Sequence, residues 1–192
     1  MHPHRSIHSI IVAAFPLALA GVPVASAQAA VSPADVHFMS GMIYHHAQAV
    51  VMAGWAPTHG ASHTIQTLCE RILVSQNDEI AMMQQWLRDR HQEVPDPTSH
   101  PMAMMMPGML SPGQLAQLDS ARGPAFDRLF LTDMIQHHQG AITMVKDLLA
   151  TPGAAQDGQV FRFSADVNAD QTAEIGRMQI LLNSLPTGGK NP

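Results

Sequence analysis

Twice in this chain a pair of histidines stands between two methionines. Met42-Ile-Tyr-His45-His46-Ala-Gln-Ala-Val-Val-Met52 returns 92 positions later as Met134-Ile-Gln-His137-His138-Gln-Gly-Ala-Ile-Thr-Met144. Imidazole nitrogen and thioether sulfur are borderline and soft donors, a mixture suited to Cu(I), with Cu(II) as an alternative occupant. Zinc more often takes Cys, His and carboxylate. At about 100° per residue, Met42, His45, His46, Ala49 and Met52 fall on one arc of a helix, which Met39 widens slightly. Each histidine can therefore share an ion with a methionine of its own helix. The competing reading is core histidines with methionines as gap-fillers. Four histidines in two matched pairs weigh against it, because four buried rings without ligands would need four sets of hydrogen bonds.

Further donors accompany the pairs. Glu79 and Glu174 each precede a methionine, Met83 and Met178, by four residues on the same helical face. Such carboxylates either ligate the ion, orient an imidazole through its other nitrogen, or sit solvated at the rim. Asp35 and Asp127 fall in first turns, where helix capping is the expected role. Cys69 aligns with Ser164 and is expected to be a packed small side chain. The segment His100-Pro-Met102-Ala-Met104-Met105-Met106-Pro-Gly-Met109 either wraps a soft ion or straps one end of the fold. His59 and His63, at a turn, offer a weak surface site.

These residues need helices to position them. Ser32-Pro33-Ala34-Asp35 reads as a helix start, and that helix runs to about Ala56 before Pro57. A second spans about Ser62 to His91, its apolar positions recurring at the helical period. Gln92 to Leu110 is a crossover rich in proline and methionine. Ser111-Pro-Gly-Gln114 resembles a capping box opening a short helix to about Ala121. Long helices follow from about Ala125 to Ala150 and from about Gln159 to Leu185.

The duplication is wider than the histidines. Between positions 38 and 52, seven of fifteen residues recur at the shift of 92, and Gln76, Glu79, Ile80, Met83, Gln84 and Leu87 recur at a shift of 95. Two helical hairpins joined by a long crossover predict an all-α four-helix bundle whose halves are related by a pseudo-twofold axis.

Met-Ile-x-His-His-x-x-Ala-[Val/Ile]-x-Met twice, Gln-x-x-Glu-Ile-x-x-Met twice, and Met106-Pro-Gly-Met-Leu110 together resemble the bacterial family called domain of unknown function 305. The resemblance covers about Pro33 to Leu185. It implies a ferritin-like four-helix bundle, and copper binding by His45, His46, His137, His138 and nearby methionines, since the family includes periplasmic copper-binding members.

The rest of the chain sets the context. Met1 to Ala27 looks like a cleavable export signal, with an apolar run broken by Pro16, Gly21 and Pro23 and an Ala25-Ser26-Ala27 cleavage site. Residues 28–192 are then expected to form one domain in the periplasm or outside the cell. Fifteen acidic against ten basic residues argue against a nucleic-acid partner, and no run of like charge suggests a membrane surface. Cys69, the single cysteine, can form no internal disulfide. The expected function is a non-enzymatic, exported copper-binding protein that sequesters the ion or passes it to a copper-exchanging periplasmic protein. The alternatives are a metal-dependent oxidase of the bundle type and a metal-free stress or interaction module. Di-iron bundles use four carboxylates and two Glu-x-x-His pairs, and this sequence has no Glu-x-x-His. Copper held by the histidine pairs is expected to weaken as pH falls from about 7 to 5, through proton competition.

Overall fold

The structure is a computed structural model that describes residues 31–96 and 106–186. The expected export signal and His100, Met102, Met104 and Met105 lie outside the described residues. Five helices account for the ordered elements: α1 (Pro33–Gly54), α2 (His63–Asp89), α3 (Pro112–Ser120), α4 (Pro124–Ala150) and α5 (Gly158–Ser184). Local chemistry sets their starts. The Ser32 hydroxyl accepts from the Asp35 amide at 3.0 Å, with Pro33 in the first turn. Ser111 and Gln114 complete a reciprocal capping box on α3. Asp157, not singled out in the sequence, caps α5 by accepting from the amides of Gln159 and Val160. α1 stops at Gly54, two residues short of the expected Ala56, because the chain tightens there into turns in which the Thr58 and His59 amides bond the Trp55 carbonyl.

α1 packs on α2 and α4 on α5, and the two hairpins meet through α1 and α4, with α3 against α4. Burial divides the core at the histidines. Ala49, Met52, Ile65, Ile72, Phe126, Phe130, Met134 and Met178 fill one cluster. Phe38, Met39, Met42, Ile43, Met83, Trp86, Val145 and Phe163 fill the other. Early α1 thus meets late α4, so these two helices run antiparallel and the pseudo-twofold axis passes between them. Each end of the bundle buries large apolar side chains, worth roughly 1.5–3 kcal/mol apiece.

The two first-turn aspartates join the hairpins rather than cap their own helices. Asp35, fully buried, accepts from the Ala155 amide at 2.7 Å, in the turn between α4 and α5. Asp127 accepts from the Ser62 amide at 3.1 Å, at the turn between α1 and α2. Each hairpin therefore holds the other's turn. The capping expectation failed because a buried first-turn carboxylate beside a foreign turn finds an orphan amide there. His59 is likewise structural, not a surface ligand: it stacks on Trp55 and its Nε2 lies 2.8 Å from the Asp119 carbonyl.

The end of the crossover forms a strap, residues 106–110, across α1 and α4. Gln48 grips Leu110 by both amide groups, its Oε1 accepting from the Leu110 amide at 2.8 Å and its Nε2 donating to the carbonyl at 3.1 Å. Opposite, a Cβ on Gly140 would stand 2.0 Å from the Pro107 carbonyl oxygen and 2.5 Å from Gly108 Cα, so only glycine lets the strap lie down on α4. Gln48 and Gly140 are equivalent positions of the two repeats. The strap is what the two copies have diverged to accommodate.

Candidate metal centre

His45, His46, His137 and His138 lie at mid-helix between the two apolar clusters, all essentially out of solvent. The antiparallel crossing of α1 and α4 puts His45 and His137 face to face, with ring centroids 3.9 Å apart and planes tilted by 43°. The outer pair turns away to the flanking helices. His46 Nε2 is 2.5 Å from Glu79 Oε2, and His138 Nε2 is 2.7 Å from Glu174 Oε2. These contacts set the two carboxylates against the imidazoles rather than at a solvated rim, and the Nδ1 of each ring is buried without a partner.

His45 and His137 are twins in the repeat yet differ in their bonds. His45 Nε2 lies 3.1 Å from the Pro107 carbonyl of the strap. The strap occurs once, so His137 has no counterpart to that carbonyl, and neither of its ring nitrogens makes a hydrogen bond. The His45 carbonyl is near enough to favour a charged His137, but not in hydrogen-bonding geometry. In all, five imidazole nitrogens, Nδ1 of His45, His46 and His138 and both of His137, are buried without partners. Such groups cost about 1–3 kcal/mol each. Imidazole nitrogens of this kind fit a metal ion as donors.

Burial keeps three of these rings neutral. Desolvation, with the neighbouring His46 opposing a second charge, lowers His45 to about 3. Desolvation and the surrounding histidines place His137 well below its ordinary range. Desolvation also lowers His138, against the pull of Glu174. A neutral imidazole is the ligating form, so no proton has to leave these three rings near pH 7.

The donors around the layer suit a soft ion. Among the described residues, no three His, Cys, Asp or Glu side chains are gathered as a metal cluster. What lies one turn from the histidines is sulfur: Met42 and Met134 on the same helices, Met83 and Met178 one turn beyond the two glutamates, all fully buried. Met39 is also fully buried, beside Met42. Met52 packs in the other cluster, two turns from His45 along α1. Met144 does not follow its twin: it is half-buried and lines another pocket, with His37 and Met106. Met109 lies half-buried on the strap. Cys69 is packed, its thiol pushed up to about 12 by burial and by Asp127 and Glu70, and takes no part.

The outer face of the layer is polar. α2 and α5 leave between them a cavity of about 210 Å³, lined by Glu79, Glu174, Gln76, Gln171, Asp170 and the guanidinium groups of Arg71 and Arg177. Gln76 and Gln171 are buried with an unpartnered Oε1 each. Sequence reasoning passed over their place at the site, although they recur together with the glutamates and that recurrence was the available signal.

The family model for a domain of unknown function, DUF305, matches residues 35–182. Among curated proteins none matches the chain. Among solved structures, the fold is similar to a DUF305 protein from Streptomyces coelicolor, described as a candidate secreted protein, with TM-score 0.71, 26% identity, and coverage of 83% of this chain and 96% of that one. It is equally similar to a DUF305 fragment from Deinococcus radiodurans, with TM-score 0.71, 30% identity, and coverage of 81% and 99%. A third similar structure is CopM in its Cu(I)-bound form, with TM-score 0.63, 26% identity, and coverage of 78% and 95%. CopM is also known in Cu(II)-bound and Ag-bound forms of the same likeness. With its all-helical bundle and a family match over most of its length, the chain belongs to the DUF305 family.

Proposed function

We infer that this protein is an exported copper carrier, binding the ion at one shared site on the pseudo-twofold axis. Copper is its cargo. His45 and His137 hold it, His46 and His138 flank it under the orientation of Glu79 and Glu174, and Met42, Met83, Met134 and Met178 supply thioethers. The observation that carries this reading is His137, a fully buried imidazole against His45 with neither nitrogen hydrogen-bonded. A purely structural core position would gain stability by losing those nitrogens. Likeness to CopM in copper- and silver-bound forms supports the metal. Neutral imidazoles and thioethers favour Cu(I), and Cu(II) remains compatible with the histidines. The reading is of a non-enzymatic carrier that binds the ion and yields it to an exchanging protein. Export follows the N-terminal segment's pattern, and no helix among the described residues is long and apolar enough to cross a membrane.

The test is His137→Leu, read in two ways. Apo stability in urea should hold or rise, while Cu(I) affinity against a competing chelator should fall by about 100-fold or more, a loss of roughly 2.7 kcal/mol. Glu79→Gln and Glu174→Gln should each cost about 10- to 100-fold, by loosening the imidazoles they orient. A folded His137→Leu protein with unchanged copper affinity would sink the shared-site reading.

A further inference from the structure

The strap also builds a second place for a soft ion, outside the histidine layer. A pocket of about 190 Å³ lies where α1, α4 and the strap meet, lined among others by His37, Met106, Met144 and Asp147. Its floor is Gly41. A Cβ there would stand 3.3 Å from the Met106 sulfur and 3.4 Å from the Met144 methyl, so two thioethers from different elements converge on the space that a side chain at 41 would fill. His37 lies one turn before Gly41 on the same helix and is exposed. The repeat makes none of this obligatory: the counterparts of His37 and Gly41 are Leu129 and Asp133, and the twin of Met144 is the buried Met52.

We propose that His37, Met106 and Met144 form a surface site for a thiophilic monovalent cation, Cu(I) or Ag(I), with the Asp147 carboxylate facing its charge. One imidazole nitrogen and two thioether sulfurs match the preference of such an ion, and thioethers remain available where thiols would be oxidised. The site is half-exposed, whereas the histidine layer is sealed. It also adjoins that layer through a single peptide, since Met106 precedes Pro107, whose carbonyl holds His45. An ion bound there is in position to pass inward or to a partner. The proposal does not depend on the shared histidine site, and its failure reads separately.

The experiment is an anaerobic Ag(I) titration of the full mature chain carrying methyl-labelled methionine, followed by NMR. The Met106 and Met144 methyl resonances should shift together, and Met106→Leu/Met144→Leu should bind one ion fewer. Gly41→Ala, which touches no ligand of the histidine layer, should weaken the outer ion by about tenfold by pushing the thioethers apart, and His37→Ala should weaken it similarly. Methyl resonances of Met106 and Met144 that stay fixed at saturation, or an unchanged stoichiometry in the double variant, would overturn the proposal. The imidazole resonances of His45 and His137 report the inner site in the same spectra, so either site can fail alone.

Discussion

A neutral histidine buried in an apolar core is a stability cost whose size depends on pH, and this protein carries at least three. His45 is lowered to about 3, His137 well below its usual range, and His138 lowered, in each case chiefly by desolvation. In the unfolded chain each returns to about 6.5. Above that value neither state binds the proton and the three make no difference. Below it the unfolded chain takes up protons that the fold refuses, so apo stability falls with pH, by at most about 1.4 kcal/mol per unit per histidine, continuing for His45 towards pH 3. Asp133, raised to about 6 by burial, works in the opposite sense between its folded value and the ordinary carboxylate range. Asp170, also raised by burial, acts in the same sense as Asp133, and three histidines against two carboxylates leave a net loss. Urea midpoints of the apo protein should therefore be level from pH 8 to 7 and decline below about 6.5, and His137→Leu should flatten the decline. The shift of His45, to about 3, also bears on the expectation that copper affinity drops between pH 7 and 5: that ring carries no proton at pH 5 in the fold, so proton competition there is weaker than at an exposed imidazole. A steep apo stability rise on acidification would contradict the burial argument.

At the scale of elements, what the sequence made legible was whatever is local. Helix starts at Ser32 and Ser111 were readable because the cap and its amide lie within three residues. The inward faces of the four histidines followed from spacing alone. The hydrogen bonds that decide each ring's role were not legible, because Pro107, Glu79 and Glu174 reach the histidines across 62, 33 and 36 residues. A strap was one of two readings of the methionine segment, but its seat across α1 and α4 beside the histidines was not legible for the same reason, and its mark is subtle: a glutamine in one repeat where the other has glycine. Gly140→Ala tests it with an unusual sign. In the middle of an exposed helix that change should stabilise by roughly 1 kcal/mol. Here the new methyl group would occupy the position of the Pro107 carbonyl, so the strap must lift, and the expected outcome is destabilisation by about 1–3 kcal/mol. A urea denaturation series measures it. The histidine layer should feel it too, since the lifted carbonyl no longer holds His45, and copper affinity should fall alongside stability. Gly54→Ala, with open space around its Cβ, is the control and should not destabilise.

At the scale of the molecule, the duplicated hairpins make one cooperative unit only if something beyond the α1–α4 contact couples them. The reciprocal aspartates do this at opposite ends of the bundle, Asp35 on the turn of the second hairpin and Asp127 on the turn of the first. Each is nearly or wholly buried, and each satisfies a backbone amide that no helix serves. Removal leaves that amide unpaired in the interior, a loss of about 1–3 kcal/mol, greater than the bond's own net contribution. Asp35→Ala should cost the more of the two, because its bond to Ala155 is the shorter and lies fully inside, and because the clamp holds Ala155 at a positive φ of 54°. The two sites share no partner and sit in different apolar clusters. Their effects in the double variant should therefore add to within about 0.5 kcal/mol in urea unfolding. Additivity alone does not test the coupling, so the shape of the transition must be read as well. If the clamps hold two potentially separate hairpins together, the double variant should unfold with a lower m-value or in two phases, while copper bound at the proposed site between α1 and α4 should restore a single transition. A double variant that keeps one sharp transition with the wild-type m-value would show that the histidine-bearing interface couples the halves without them.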